Sequence, residues 1–269
     1  MASAPTTLLT GTTAIVTGGT RNIGAGISLE LARRGANLSM VYMNPRNKAT
    51  AEAFASELET KATGIRCVAI LADLSDAASP ERIIKETLQR LDVDKIDIIV
   101  NNAALGDWTS TEDITLEKYS AVMDANVRGP ILLVQAALPY IPRGGRIINI
   151  GSYATRAVNI GPGIPPMPLY IASKLALEGL SQNWAVEFGH SRGINVNTVS
   201  VGFVETDLIA AMPEDQKKQI KEANAAKVAA APRAGTPNDV AEVVAFLASD
   251  SSRWVTGSTL SANGGTIVI

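Results

Sequence analysis

Seven short runs rich in Val and Ile, at 13–17, 37–42, 65–71, 96–100, 145–151, 194–200 and 258–262, alternate with stretches of helical character. Those stretches lie near 22–34, 48–62, 79–91, 114–141, 170–189 and 237–249. Strands buried on both faces read as continuous apolar runs, and parallel neighbours need a crossover that a helix supplies. The alternation therefore predicts an α/β fold, a doubly wound parallel sheet of seven strands with helices on both faces. Right-handed crossovers then gather ligands at the carboxyl ends of the strands.

The chain has 269 residues, 46% of them hydrophobic and 19% charged, enough to bury one large core, so a single domain over 1–269 is expected. A net charge of -2 without a basic cluster argues against nucleic acid. No apolar stretch approaches the ~20 residues that span a bilayer, and the tail 1–10 lacks the pattern of a secretion signal, so no membrane role and a cytoplasmic location are expected. The one cysteine, Cys67, sits in an apolar run and reads as core. With His190 the only histidine, neither a zinc site nor a Ser-His-Asp triad can be assembled, and no metal is expected.

Chemistry concentrates where the strands end. The run Thr13–Val16 leads into Thr17-Gly18-Gly19-Thr20-Arg21-Asn22-Ile23-Gly24 and then into an apolar-periodic helix. Glycines let the backbone approach a pyrophosphate, and the helix start offers free amides and a positive dipole end, so Gly18, Arg21, Asn22, Ile23 and Gly24 form a candidate dinucleotide turn. Asn101-Asn102-Ala103 follows one apolar run, Ser152 follows another, and Asn126 lies in a helix between them. Tyr170 and Lys174, four residues apart at the head of a helical run, share a helix face. A nearby cation favours a phenolate and draws the tyrosine pKa toward neutral pH; taken alone, the pair also reads as an ordinary exposed helix pair.

In these ordered motifs, together with Asp73-Leu74, Gly202-x-Val204-x-Thr206 and the ending 256–265, the chain resembles the short-chain dehydrogenase/reductase family from about Thr12 to Gly265. The resemblance implies a Rossmann-like fold and a nicotinamide cofactor. It implies Tyr170 as general acid in carbonyl reduction and Ser152 as the group polarising the substrate oxygen, with Thr155 a substitute. Lys174 would tune the tyrosine and bind the nicotinamide ribose, and Asn126 would support a water leading from Lys174 to solvent. Asp73 and Leu74 are expected at the adenine, Asn101 and Ala103 along the middle of the cofactor, and Val204 and Thr206 at the carboxamide. Asp73 also reads as a turn carboxylate and Thr206 as a helix N-cap. The segment 207–233 is expected to cover the substrate as a lid, against the alternative of a surface insertion.

An acid at the end of the second strand would bond an adenosine 2'-hydroxyl and repel a 2'-phosphate. Here that stretch reads Val41-Tyr42-Met43-Asn44-Pro45-Arg46, with no acid. Arg21, Tyr42 and Asn44, with Arg46 as a further cation, are expected to hold a phosphate, so the cofactor is predicted to be NADP(H). Three features depart from the family pattern: Asn22 replaces a glycine, Val201 replaces a proline, and the segment 153–169 is a long Pro/Gly-rich active-site loop. Asparagine tolerates the left-handed backbone better than most residues, so the turn is expected to survive.

Trp108, Tyr153, Ile164, Met167, Phe203, Leu208 and Met212 border the expected pocket and suggest an apolar or aromatic carbonyl substrate, a small molecule. The glycine turn and second strand are reminiscent of fungal NADPH-dependent naphthol and polyketide ketoreductases. The alternatives are a 3-oxoacyl-carrier-protein reductase and a non-catalytic NADP-binding sensor or scaffold. Helices 114–141 and 170–189 are apolar on more than one face, which predicts a homodimer or homotetramer unless those faces only cover the sheet.

Overall fold

In the computed structural model, which describes residues 8–157, 166–207 and 214–268, all seven expected strands form. They are β1 (Thr13–Thr17), β2 (Asn37–Tyr42), β3 (Cys67–Leu71), β4 (Ile98–Asn101), β5 (Arg146–Ile150), β6 (Asn195–Val201) and β7 (Thr259–Ala262). They make one parallel sheet in the order β3-β2-β1-β4-β5-β6-β7, the doubly wound arrangement expected from the alternation and the Rossmann-like fold that the resemblance implies. The strand order reverses between β1 and β4, and a crevice opens at their carboxyl ends.

Successive side chains of a strand point to opposite faces, and the core is divided accordingly. Ala14, Val16, Ile98, Val100, Ile148 and Ile150 pack on one face with Ile27, Leu31, Val240 and Val244. Ile15, Ile99 and Ile147 pack on the other with Ile83, Leu133, Trp184 and Phe188. The first face is covered by α1 (Asn22–Arg33) and α8 (Pro237–Ala248). The second is covered by α3 (Ser79–Leu91), α5 (Gly129–Ala137) and α6 (Pro168–Arg192). The remaining helices are α2 (Lys48–Lys61), α4 (Leu116–Met123) and α7 (Glu214–Ala225).

The expected helix 114–141 is not continuous. One turn of π-helix, Asp124–Arg128, separates α4 from α5, and Asn126 is buried within it. Helix α6 begins at Pro168, two residues before Tyr170, because a proline at the first helical turn loses no hydrogen bond there. It ends at Gly193, whose left-handed φ of 67° closes the last turn.

A buried polar row sets the position of α6 over the sheet. Asn101 donates to Asn149 at 2.7 Å, and Asn149 donates to Ser181 of α6 at 2.7 Å. Thr198 and Ser181 are joined at 2.8 Å, and Ser181 donates to the Leu177 carbonyl at 2.9 Å. An unmatched partner in such a row costs about 1–3 kcal/mol, so the helix cannot slide without penalty. The row therefore fixes where Tyr170 and Lys174 emerge.

Candidate active site

The turn after β1 is built as its sequence demands. Gly18 has φ 63°, and a Cβ on Gly24 would lie 2.0 Å from the Gly18 carbonyl oxygen, so the start of α1 packs directly on the turn. Asn22 stands at φ 50°, the left-handed conformation that asparagine tolerates, so this departure from glycine preserves the turn. No side chain caps α1, and its first turn holds no acid, which leaves its leading amides facing the crevice with a positive dipole end.

One cleft of about 730 Å³ joins this turn to the ends of β2, β4, β5 and β6. It brings together Gly18, Arg21, Asn22, Ile23, Gly24, Tyr42, Asp73, Leu74, Ala103, Ser152, Tyr170 and Lys174. Asp73 lines the cleft while also closing its own turn, accepting from the Ser75 amide and hydroxyl, both at 2.8 Å.

Five of the expected residues do not line this cleft. Asn101 turns its amide to Asn149 inside the sheet, and Asn102 lines the cleft instead, donating to the Thr17 carbonyl at 2.8 Å. The signal for this was the period of two: one Asn of the pair must face the sheet interior and the next the crevice. Asn44 caps the short turn Pro45–Asn47, accepting from the Arg46 amide at 3.0 Å, and Met43 takes its place on the cleft wall. Val204 is buried and bridged to Gly235. Thr206 lines a second cleft of about 510 Å³ behind the start of α1. Asn126 does not line the cleft: its Oδ1 accepts from the Leu105 amide at 2.7 Å, and its Nδ2 donates to the Leu105 carbonyl and to Ser173 Oγ, both at 3.0 Å. Its side chain is a brace between the π turn, the Leu105 segment and α6.

The expected apolar border is also redistributed. Tyr153 is buried close enough to Tyr170 for the neighbouring phenol to raise its cost of ionisation, with burial the larger cause of its upward shift. Phe203 lines a separate small pocket near the end of β7, and Trp108 is half exposed with its ring against Gly106. Met167 precedes α6, while Ile164, Leu208 and Met212 lie outside the described residues. Of the loop 153–169, Tyr153–Thr155 forms a 3-10 turn; of the segment 207–233, Glu214–Ala225 forms α7.

Three side chains converge at the end of β5. Lys174 is buried, and its Nζ donates to the Ile150 carbonyl at 2.7 Å; burial without a carboxylate partner lowers its pKa to about 8. Its ammonium is 5.8 Å from the centroid of the Tyr170 ring. Burial pushes the Tyr170 phenol up, and the opposing influence is a hydrogen bond with Ser152. Ser152 opposes the burial of the phenol through direct contact, while Lys174 stands beside the ring with its ammonium hydrogen-bonded to Ile150. The turn carrying Ser152 is itself anchored to α6. Arg156 pairs with the buried Glu178, which also accepts from Thr259 Oγ1 at 3.0 Å.

A dinucleotide-type turn and a phenol-hydroxyl-ammonium cluster in one crevice of a doubly wound sheet define an oxidoreductase class. The family model described as enoyl-(acyl carrier protein) reductase matches residues 6–266. The short-chain dehydrogenase/reductase FrzI of Cladobotryum sp is 42% identical over 258 residues, covering 95% of this chain and 96% of that protein. The hydroxynaphthalene reductase-like protein Arp2 of Metarhizium anisopliae is 36% identical, covering 96% of each chain. Among solved structures, a blue fluorescent protein from a metagenomic library in complex with NADPH superposes with a TM-score of 0.86 at 37% identity, covering 97% of this chain and 100% of that one. The angucycline C-6 ketoreductase LanV with bound NADP gives 0.85 at 31%, covering 96% of each. The chain belongs to the short-chain dehydrogenase/reductase family. Among the described residues, no helix is long and apolar enough to cross a membrane, and no cluster of His, Cys, Asp and Glu is placed to hold a metal.

Proposed function

We propose that this protein reduces a carbonyl group of an apolar or aromatic small molecule to an alcohol, using NADP(H), with Tyr170 as the proton donor. The observation that carries this reading is the meeting of Ser152, Tyr170 and Lys174 in the same cleft as the glycine turn of β1. The close packing of Gly24 on Gly18 and the uncapped start of α1 suit a dinucleotide. The cleft wall at the end of β2 carries Tyr42 and Met43 and no acid, while Arg21 offers a cation, which suits a 2'-phosphate. Similar proteins crystallised with NADPH and NADP support the same cofactor.

Bound NADPH supplies the hydride. The Tyr170 phenol, raised by burial, remains protonated at neutral pH and so holds a proton to give to the substrate oxygen. Ser152 Oγ accepts from the Ala154 amide at 3.2 Å and bonds the phenol, an arrangement that holds the hydroxyl beside the proton donor, suited to polarising a carbonyl oxygen there. Lys174 keeps two ammonium protons beyond the one given to Ile150, which would hold the ribose hydroxyls of a bound cofactor. Ala104, Leu105, Ile150 and Val201 on the cleft wall favour an apolar substrate. Leu116, Tyr119 and Ile131 on α4 and α5, and Leu175 and Val186 on α6, are exposed and support pairing of copies into a homodimer or homotetramer, which sedimentation velocity would measure.

The test is turnover and cofactor affinity with the purified chain, over cyclic and aromatic ketones beside a 3-oxoacyl carrier protein. Ketone-dependent oxidation of NADPH, with NADPH bound more tightly than NADH, is expected. Equal or tighter NADH binding overturns the cofactor assignment, turnover only with the acyl carrier overturns the substrate class, and binding without turnover overturns the enzyme.

A further inference from the structure

Arg21 and Asn22 of the glycine turn are both engaged by one residue from the other end of the fold, Asp207. The Arg21 guanidinium donates to Asp207 Oδ2 from Nε at 3.2 Å and from Nη2 at 2.9 Å. The Asp207 amide in turn donates to Asn22 Oδ1 at 2.9 Å. Asp207 is thus held through both its side chain and its backbone, across 186 and 185 positions of sequence. Glycine at position 22 would offer no side-chain acceptor, so the departure from the family pattern supplies half of this clasp.

The two clefts meet at the clasp. Arg21 lines the cofactor cleft, Asp207 lines the second cleft behind α1, and Asn22 lines both. The ion pair is solvated, with side-chain exposures of 55% and 62%, so its net strength is that of a surface pair and a stronger anion can displace it. A phosphate monoester carries more charge than a carboxylate and offers three acceptor oxygens to the same guanidinium fork.

We infer that Asp207 is a specificity-determining residue of the cofactor site: a resident carboxylate on Arg21 that the 2'-phosphate of NADP(H) must displace. The inference rests on the reading that Arg21 receives that phosphate. NADP(H) exchanges one partner of Arg21 for another, whereas NAD(H), lacking the phosphate, leaves the Arg21–Asp207 pair in place. The carboxylate therefore weakens NADP(H) binding specifically.

The test is a double-mutant cycle on the full chain, with dissociation constants for NADPH and NADH measured by fluorescence for wild type, Arg21→Ala, Asp207→Asn and the double variant. Thermal melts confirm that each variant is folded. Asp207→Asn is expected to tighten NADPH roughly three- to fivefold, the scale of an exposed ion pair, with a smaller change for NADH and no change in the Arg21→Ala background. The same tightening in the presence and absence of Arg21, or equally for both cofactors, overturns the inference by reducing it to general charge repulsion. Unchanged or weaker NADPH binding by Asp207→Asn, with Arg21→Ala weakened, overturns the inference alone. Unchanged NADPH binding by Arg21→Ala overturns the assignment of Arg21, and the inference with it.

Discussion

Lys174 Nζ donates to the carbonyl oxygen of Ile150 at 2.7 Å, tying the one cation of the Tyr170–Lys174 pair to the last residue of β5. This hydrogen bond joins the one from Asn149 to Ser181 in holding α6 to the strand that precedes Ser152. It satisfies one proton of a buried ammonium and leaves the charge without a carboxylate, which is why the pKa of Lys174 falls to about 8.

That shift has a pH signature. The Lys174 ammonium is complete below about pH 8 and lost above it, so kcat/KM for NADPH is expected to fall as pH rises through this value. Lys174→Arg, which cannot deprotonate there, is expected to move the break to higher pH. The folded pKa lies below the ordinary lysine value of 10.5, so between the two the unfolded chain binds more protons, and this group's contribution to stability grows with pH across that window. Denaturant unfolding of wild type against Lys174→Met across the window should show the slope only in the wild type.

Removing the Tyr170 hydroxyl leaves the cofactor end of the cleft intact. Tyr170→Phe is expected to lower kcat by roughly 10²- to 10⁴-fold, the scale of general acid catalysis, with NADPH affinity retained. Stopped-flow turnover and fluorescence titration separate the two; substantial residual turnover would show that another group supplies the proton.

Asn126 spends its amide on three partners, the Leu105 amide and carbonyl and Ser173. Asn126→Ala strands the part-buried amide and carbonyl of Leu105 and is expected to cost about 1–3 kcal/mol in urea unfolding. Turnover should fall as well, because Leu105 lines the cleft.

Burial and the neighbouring Glu59 push the Cys67 thiol up to about 12, so almost no thiolate exists at working pH. An aromatic disulfide reagent is expected to leave native protein unlabelled and to react with one equivalent in denaturant. Rapid labelling of the native chain would contradict the packing of β3.

The sheet was legible because strands buried on both faces are apolar along their whole length, as in Ile98–Val100 and Ile147–Ile148. The glycine turn was legible because Gly24 has no room for a side chain, and the tolerance of Asn22 followed from its left-handed φ. The side-chain surroundings of Asn44, Asn101, Asn126, Val204 and Thr206 were not legible, for a shared reason. Each lies on the right segment, but local turns, strand parity or a π turn rotate the side chain away from the cleft.

Sequence alone determined the fold, the crevice where the chemistry gathers, and the presence there of Tyr170, Ser152 and Lys174, because periodicity and spacing are local properties of the chain. Only the tertiary structure decided the electrostatic relations among them. That Lys174 bonds Ile150, that Ser152 opposes the burial-driven rise of the Tyr170 pKa, and that Arg21 already holds Asp207 are outcomes of distance and burial between segments far apart in sequence.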